Sequence, residues 1–324
     1  MKPILKWVLI PAGALLGLIG GGVGYLFAAF PKALTVPATK VAATPELVTR
    51  GRYLAHHVTV CMDCHAVRDW SRYSGPPKPE TLGHGGERFT REMGLPGEFH
   101  SKNITPGGVG DWSDGELARA ITTGVTRDGR AMFPIMPYTY LRHLCERDLH
   151  GIIAYVRTLP ASNKTHPESQ LDFPVNLIVR TIPDAPEPWS CPEPGTVEYG
   201  KYLVTIASCP ECHTKQEQGK VVGERFAGGW RFGLPTGGYI TSKNITPDPE
   251  TGIGKWTKEQ FVATFQRMGT PEGAFPIKPG ERQTMMPWNM YGGMTEQDLG
   301  AIYDYLRTVP AVKNKVADFE PPPK

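Results

Sequence analysis

Two five-residue segments, Cys61-Met62-Asp63-Cys64-His65 and Cys209-Pro210-Glu211-Cys212-His213, carry the residue types and spacing for covalent porphyrin chemistry. Two thiols three residues apart can each close a thioether to a vinyl group on one porphyrin edge, and the histidine that follows then falls beneath the iron as proximal ligand. C-x-x-C-H is the attachment signature of c-type haem, and its repetition predicts two covalently bound haem c groups. A single zinc ion shared by the four thiols is disfavoured, because zinc ribbons set their cysteine pairs ~15–20 residues apart and these pairs lie much farther from each other. A thioredoxin-like pair calls for a βαβ context and no trailing histidine, whereas the flanking sequence reads as helix and Pro/Gly-rich loop.

The sixth iron ligand decides what such a haem can do: with both axial positions filled it transfers electrons, and with one open it can bind peroxide or gas. Met136-Pro137-Tyr138 and Met286-Pro287-Trp288 stand 71 and 73 residues beyond His65 and His213, and these methionines alone are matched between the two halves. They are the expected distal ligands. Met62, Met132, Met285, Met290 and Met294 lack counterparts and read as packing residues. The remaining histidines, His56, His57, His84, His100, His143, His150 and His166, all lie in the first half or the connector. Among them His84, in the Gly83-His84-Gly85-Gly86 stretch, is the alternative that could swing to an iron.

The elements that must position these groups repeat as well. Arg50-Gly51-Arg52-Tyr53-Leu54 matches Tyr199-Gly200-Lys201-Tyr202-Leu203, and Gly86-Glu87-Arg88-Phe89 aligns by identity with Gly223-Glu224-Arg225-Phe226. Ser101-Lys102-Asn103-Ile104-Thr105-Pro106 recurs as Ser242-Lys243-Asn244-Ile245-Thr246-Pro247, and both halves end on Leu/Val-Pro at Pro160 and Pro310. Thr44-Pro45 and Thr196 suit helix starts ahead of each motif, while Ser113-x-x-Glu116 and Thr257-x-x-Gln260 are capping boxes. Leu149, Ile152, Ile153 and Val156, and Leu299, Ile302, Tyr303 and Leu306, give the closing helices an apolar face.

The chain has 324 residues, enough for two domains, and a mild net charge of +3 that argues against a nucleic-acid partner. Its 37 Gly and 32 Pro imply much irregular backbone. Lys2 and Lys6 precede an uncharged stretch from Trp7 to Pro31, which predicts a membrane anchor with the N-terminus cytoplasmic and everything after Lys32 on the periplasmic side. A cleaved signal peptide is the alternative, with a poor processing site at Phe27-Ala28-Ala29. Cys145 and Cys191 are either a disulfide tying the connector to the first domain or two unpaired buried thiols. The Asn-x-Thr triplets at Asn103, Asn163 and Asn244 fit a glycosylation sequon, but two of them belong to the repeated block and read better as a turn beside the haem.

Taken together, the C-x-x-C-H, Asn-Ile-Thr-Pro, Trp-Ser/Thr, Met-Pro-aromatic and Leu-Arg-Thr-x-Pro series from about Leu47 to Val312 resembles the bacterial multi-haem cytochrome c family, which includes cytochrome subunits of membrane-bound alcohol, gluconate and aldehyde dehydrogenases. The resemblance implies an all-α fold of two tandem class I cytochrome c domains, whose first and last helices cross at Gly51 and Gly200; the single N-terminal transmembrane helix ahead of them, and two haem motifs where those dehydrogenase subunits commonly have three, are this chain's departures from the family. The divisions expected are anchor 1–32, first domain 45–160, Pro-rich connector 161–195, second domain 196–312 and tail 313–324. It also implies a non-enzymatic electron carrier, its haem domains in the periplasm at the bacterial inner membrane. Its redox partners would be a dehydrogenase, a quinol-oxidising complex, an oxidase or a reaction centre. The sites are Cys61, Cys64, His65 and Met136 for one haem and Cys209, Cys212, His213 and Met286 for the other. A di-haem peroxidase, or a haem subunit of a larger respiratory or photosynthetic complex, is the competing expectation.

Overall fold

The computed structural model describes residues 3–32 and 34–323, with the side chains of the first helix from Ile10 onward; Lys2 and the Lys6 side chain, on which the orientation argument rests, lie outside the described residues. Helix α1 (Pro3–Ala29) contains a 20-residue span, Ile10–Ala29, long and apolar enough to cross a membrane and buried nowhere in the protein. The first half follows as α2 (Pro45–Tyr53), a π-helical turn (Leu54–Val58), α3 (Cys61–Cys64), β1 (Arg88–Phe89), β2 (Gly97–His100), α4 (Pro106–Val109), α5 (Asp114–Thr123), α6 (Tyr138–Leu141) and α7 (Glu146–Thr158). After β3 (Gln170–Leu171) and α8 (Val175–Ile178) comes the second series: α9 (Val197–Ile206), α10 (Cys209–His213), β4 (Gln216–Glu217), β5 (Lys220–Val221), β6 (Arg231–Gly233), β7 (Tyr239–Thr241), α11 (Lys258–Met268), α12 (Trp288–Tyr291) and α13 (Glu296–Leu306).

The helices start where their capping chemistry places them. Thr44 and Thr196 accept the Leu47 and Tyr199 N–H groups, and reciprocal boxes form at Ser113/Glu116 and Thr257/Gln260. Helix α2 packs on α7, and α9 on α13. The crossings admit no side chain: a Cβ on Gly51 would stand 1.7 Å from the Gly151 carbonyl oxygen, and one on Gly200 1.9 Å from that of Ala301. The π turn has a simple origin. One more residue separates Tyr53 from Cys61 than separates Tyr202 from Cys209, and widening one helical turn absorbs it.

The protein is mostly helical, and the expectation of an all-α fold is corrected by short antiparallel pairings that satisfy backbone groups in the Gly-rich loops. Strands β1, β2 and β3 form one sheet, with Arg88 opposite His100 and Gly97 opposite Leu171; β4 pairs with β5, and β6 with β7. Residues after each closing helix return to these hairpins, since Glu320 bonds Tyr239 as Gln170 and Leu171 bond β2. One repeat match also changes. Gly85 and Gly228 (φ 76 and 69) donate to the carbonyls of His65 and His213, and Gly86 and Gly229 (φ 108 and 97) to those of Ser101 and Ser242. The equivalent of Gly86-Glu87-Arg88-Phe89 is therefore Gly229-Trp230-Arg231-Phe232, not Gly223-Glu224-Arg225-Phe226, because the loop after His65 is five residues longer than the loop after His213.

The two halves meet through reciprocal contacts. Tyr53 donates to Asp298 Oδ2 (2.5 Å) and accepts the Thr295 N–H, while Tyr202 donates to Asp148 Oδ2 (3.0 Å) and accepts the Cys145 N–H. Each tyrosine thus caps the closing helix of the opposite half. Cys145 is disulfide-bonded to Cys191 (S–S 2.06 Å), which fastens the connector to the N-terminus of α7. Since the bridge closes a loop over a separation of 46 residues, Cys191→Ser is expected to lower unfolding free energy by about 2–4 kcal/mol in denaturant titrations, and reductant should produce the same loss in the wild type but none in the variant.

Candidate haem sites

Each C-x-x-C-H segment is set by the residue before it. Val60 and Ser208 are both left-handed (φ 44 and 56), turning the chain out of the preceding helix so that the two cysteines start a new one. That conformation is costly for a β-branched valine, and its presence at matched positions marks a backbone imposed by the site. Cys61, Cys64 and Cys209 are half-buried and Cys212 is exposed. Burial pushes the Cys61 thiol up, and that of Cys209 up to about 12. Among the described residues no three His, Cys, Asp or Glu side chains gather as donors to a metal ion.

The imidazoles are held identically. His65 Nδ1 lies 2.7 Å from the Lys102 carbonyl oxygen and His213 Nδ1 2.7 Å from that of Lys243. A carbonyl can only accept, so Nδ1 carries the proton and Nε2 offers its lone pair, the tautomer an iron requires. Burial lowers both histidines below the ordinary value and so favours the neutral form, against the smaller opposing effect of the carbonyl. Those carbonyls come from the repeated Ser-Lys-Asn-Ile-Thr-Pro block. Asn103 Oδ1 accepts the Thr105 N–H and hydroxyl (2.9 and 2.7 Å), and Asn103 Nδ2 donates to Ser162 O; Asn244 does the same with Thr246 and Val312. Both amides are buried, 8% and 4% exposed, which fits a structural clip and leaves no room for a glycan.

Met136 and Met286 are half-buried at the start of matched turns. Tyr138 N–H donates to Met136 O (2.7 Å) and Trp288 N–H to Met286 O (2.8 Å), with Pro137 and Pro287 between them. Both methionines pack on the large apolar cluster, drawn from both halves, that also receives Val60, Ile104, Cys209 and Ile245. Met62, Met290 and Met294 are buried in packing. His84 sits in a pinned stretch: its N–H donates to Thr81 O, its carbonyl faces His166 Nε2 (2.8 Å), and Gly83, Gly85 and Gly86 are all hydrogen-bonded.

Repeat reading singled out the sites one half at a time and missed what joins them. Met290 packs with Ala55 and Met62 beside the first motif. The buried Tyr291 phenol donates to Ala207 O (2.7 Å), and its pKa is raised well above the ordinary value, first by burial. The matched Tyr53/Tyr202 and Asp148/Asp298 pairs were the available sequence signal for this junction.

Residues 197–310 match the cytochrome c family model. The chain is 28% identical over 309 residues to the fructose dehydrogenase cytochrome subunit of Gluconobacter japonicus, covering 88% of this chain and 58% of that protein. It is 27% identical over 298 residues to the cytochrome c subunit of a quinone alcohol dehydrogenase from Gluconacetobacter polyoxogenes, covering 85% and 59%. With a diheme cytochrome c-type protein of Cereibacter sphaeroides the identity is 28% over 272 residues, covering 78% and 83%. The chain thus spans a little under three fifths of the length of these dehydrogenase subunits. Residues 197–310 thus form a cytochrome c domain, which implies covalently bound haem c, and the chain is similar to bacterial cytochrome c subunits and a diheme cytochrome.

Proposed function

We propose that this relative of bacterial cytochrome c subunits is a membrane-anchored di-haem electron carrier, without catalytic activity of its own. It passes electrons from a dehydrogenase or quinol-oxidising complex to a high-potential acceptor such as an oxidase or reaction centre. Residues 45–160 and 196–312 are read as two tandem cytochrome c domains; the connector 161–195 and the tail 313–324 return to the hairpins. The anchor 1–32 holds both domains on the periplasmic side of the inner membrane. The observation that carries this reading is the duplicated set of a C-x-x-C-H segment, a histidine whose Nδ1 faces a backbone carbonyl at 2.7 Å, and a Met-Pro turn packed on the large apolar cluster.

Bound haem supplies a one-electron couple whose potential is raised by thioether ligation. The chain's own residues do the rest. Cys61 and Cys64, and Cys209 and Cys212, hold the porphyrins by thioethers. Lys102 and Lys243 carbonyls orient His65 and His213, and Met136 and Met286 would each supply a second protein donor to an iron and so exclude exogenous ligands.

A pyridine haemochrome assay and an intact mass are expected to give two c-type haems per chain, and Cys212→Ala with Cys209→Ala should remove one. One haem in the wild type, or bound zinc, overturns the reading. The protein should also stay in the membrane fraction through a high-salt wash; release by salt would argue for a soluble carrier.

A further inference from the structure

The first half reaches across the junction to the backbone of Met286. Ser74, 1% exposed, donates its hydroxyl to the Met286 carbonyl (2.6 Å), and Ser74 Oγ in turn accepts the Trp288 N–H (2.9 Å). One hydroxyl therefore brackets the Met286-Pro287-Trp288 turn, whose central residue has no N–H to offer. The Ser74 N–H in turn donates to Oε1 of Gln283 (2.7 Å), a fully buried side chain whose Nε2 donates to the Arg72 carbonyl (2.9 Å). Gln283 Oε1 also accepts the Thr284 N–H, and Thr284 Oγ1 accepts the N–H of Met286 (3.1 Å). Both backbone polar groups of Met286 are thus fixed by this network.

The loop that carries Ser74 is itself anchored to the first attachment segment. Arg68, buried, donates from Nε to Gly75 O (2.7 Å) and from Nη2 to Ser74 O (2.6 Å), while Nη1 lies 3.2 Å from Asp63 Oδ2, between Cys61 and Cys64. The arrangement is one-sided. The corresponding loop after His213 is the one five residues shorter, and the hydrogen bonds on the Met136 backbone come from Phe133 and Tyr138 of its own half. Ser74 is also left-handed (φ 66), a conformation that serine adopts only when surrounding contacts require it.

We propose that Ser74, seated by Gln283, is a positioning residue for the distal methionine of the other half, so that ligation at the second haem depends on the 68–75 loop of the first half while ligation at the first haem has no such dependence. This rests on Met286 being an iron ligand.

Ser74→Gly tests it, because glycine accepts φ 66 more readily than serine and the substitution removes only the small hydroxymethyl group that carries the two hydrogen bonds. In the full-length holoprotein, the variant is expected to weaken the far-red charge-transfer band of Met-ligated ferric haem by no more than one haem's share. Its second haem should titrate at a lower potential with the first unchanged. Carbon monoxide affinity at that ferrous haem should rise about tenfold or more, which corresponds to ~1.4 kcal/mol, in the range of two lost hydrogen bonds at a buried site. Gln283→Leu should give the same spectral pattern more strongly. Retention by Ser74→Gly of the wild-type band, both potentials and carbon monoxide resistance would overturn the inference. Met286→Ala in the same assays separates the two claims. If it opens an iron and Ser74→Gly does not, positioning alone fails; if Met286→Ala is silent, the ligand assignment falls and this inference with it.

Discussion

Replacing Met136 or Met286 by alanine is expected to open one iron in each case and to turn a carbon monoxide-resistant ferrous protein into one that binds a single equivalent. The thioether stabilises ferrous iron, so the affected haem should also fall in potential by a sizeable fraction of the ~0.8 V that axial ligation spans. Each methionine sits in its own turn, one in each half of the repeat, so the effects should be separable: the double variant should bind two equivalents, and each single variant should shift one potential only. Redox titration followed in the visible region, with carbon monoxide difference spectra on the same samples, makes the measurement. Stoichiometric carbon monoxide binding by the wild type, or rapid turnover of hydrogen peroxide, would favour a di-haem peroxidase instead. A silent Met136→Ala would point to another first-half ligand, and the pinned backbone around His84 makes a swing of that loop an expensive way to supply one.

What the sequence disclosed and what it concealed divide by distance along the chain. Caps at Thr44, Thr196, Ser113 and Thr257, the glycine crossings at Gly51 and Gly200, and the ends of the closing helices are local or periodic signals, and the structure has them at those residues. The Ser-Lys-Asn-Ile-Thr-Pro block was recognisable as a unit because its hydrogen bonds are mostly internal; that its lysine carbonyl orients the histidine needed coordinates. The strands left no trace, since pairings of two to four residues are too short for an alternating pattern to register. The false match at Gly223-Glu224-Arg225-Phe226 arose because identical letters fell within a loop that differs in length between the halves, and only φ angles and donors identify Gly228 and Gly229 as the equivalents. Tyr53 with Asp298 and Ser74 with Met286 lie more than two hundred residues apart, where no periodicity reports a partner.

Removing the Asp148 side chain should destabilise the junction more than any other single polar substitution there. Its carboxylate is 0% exposed and receives Arg50 Nε (3.0 Å), Arg50 Nη2 (2.7 Å) and the Tyr202 hydroxyl (3.0 Å). Alanine would leave a largely buried guanidinium uncompensated, a change that typically costs about 3–5 kcal/mol. The matched Asp298 is a useful control, because the residue equivalent to Arg50 is Tyr199 and the interaction with Tyr53 is a lone hydrogen bond across the halves; its removal should cost only about 1–3 kcal/mol. Acidity should distinguish them further. Burial pushes the Asp148 carboxyl up, but Arg50, with the Arg147 charge and the Tyr202 hydroxyl beside it, outweighs burial, and the net pKa lies below the ordinary carboxylate value. A depressed folded-state pKa stabilises fully above the unfolded value of about 3.9 and loses that stabilisation as pH falls through the folded one. The difference in denaturant midpoint between wild type and Asp148→Asn should therefore hold steady from pH 7 to about pH 5 and shrink below about pH 4. A loss under about 1 kcal/mol for Asp148→Ala, or a difference from Asp148→Asn that does not change in acid, would mean that the junction is held by its apolar contacts and that the Arg50–Asp148–Tyr202 network contributes little.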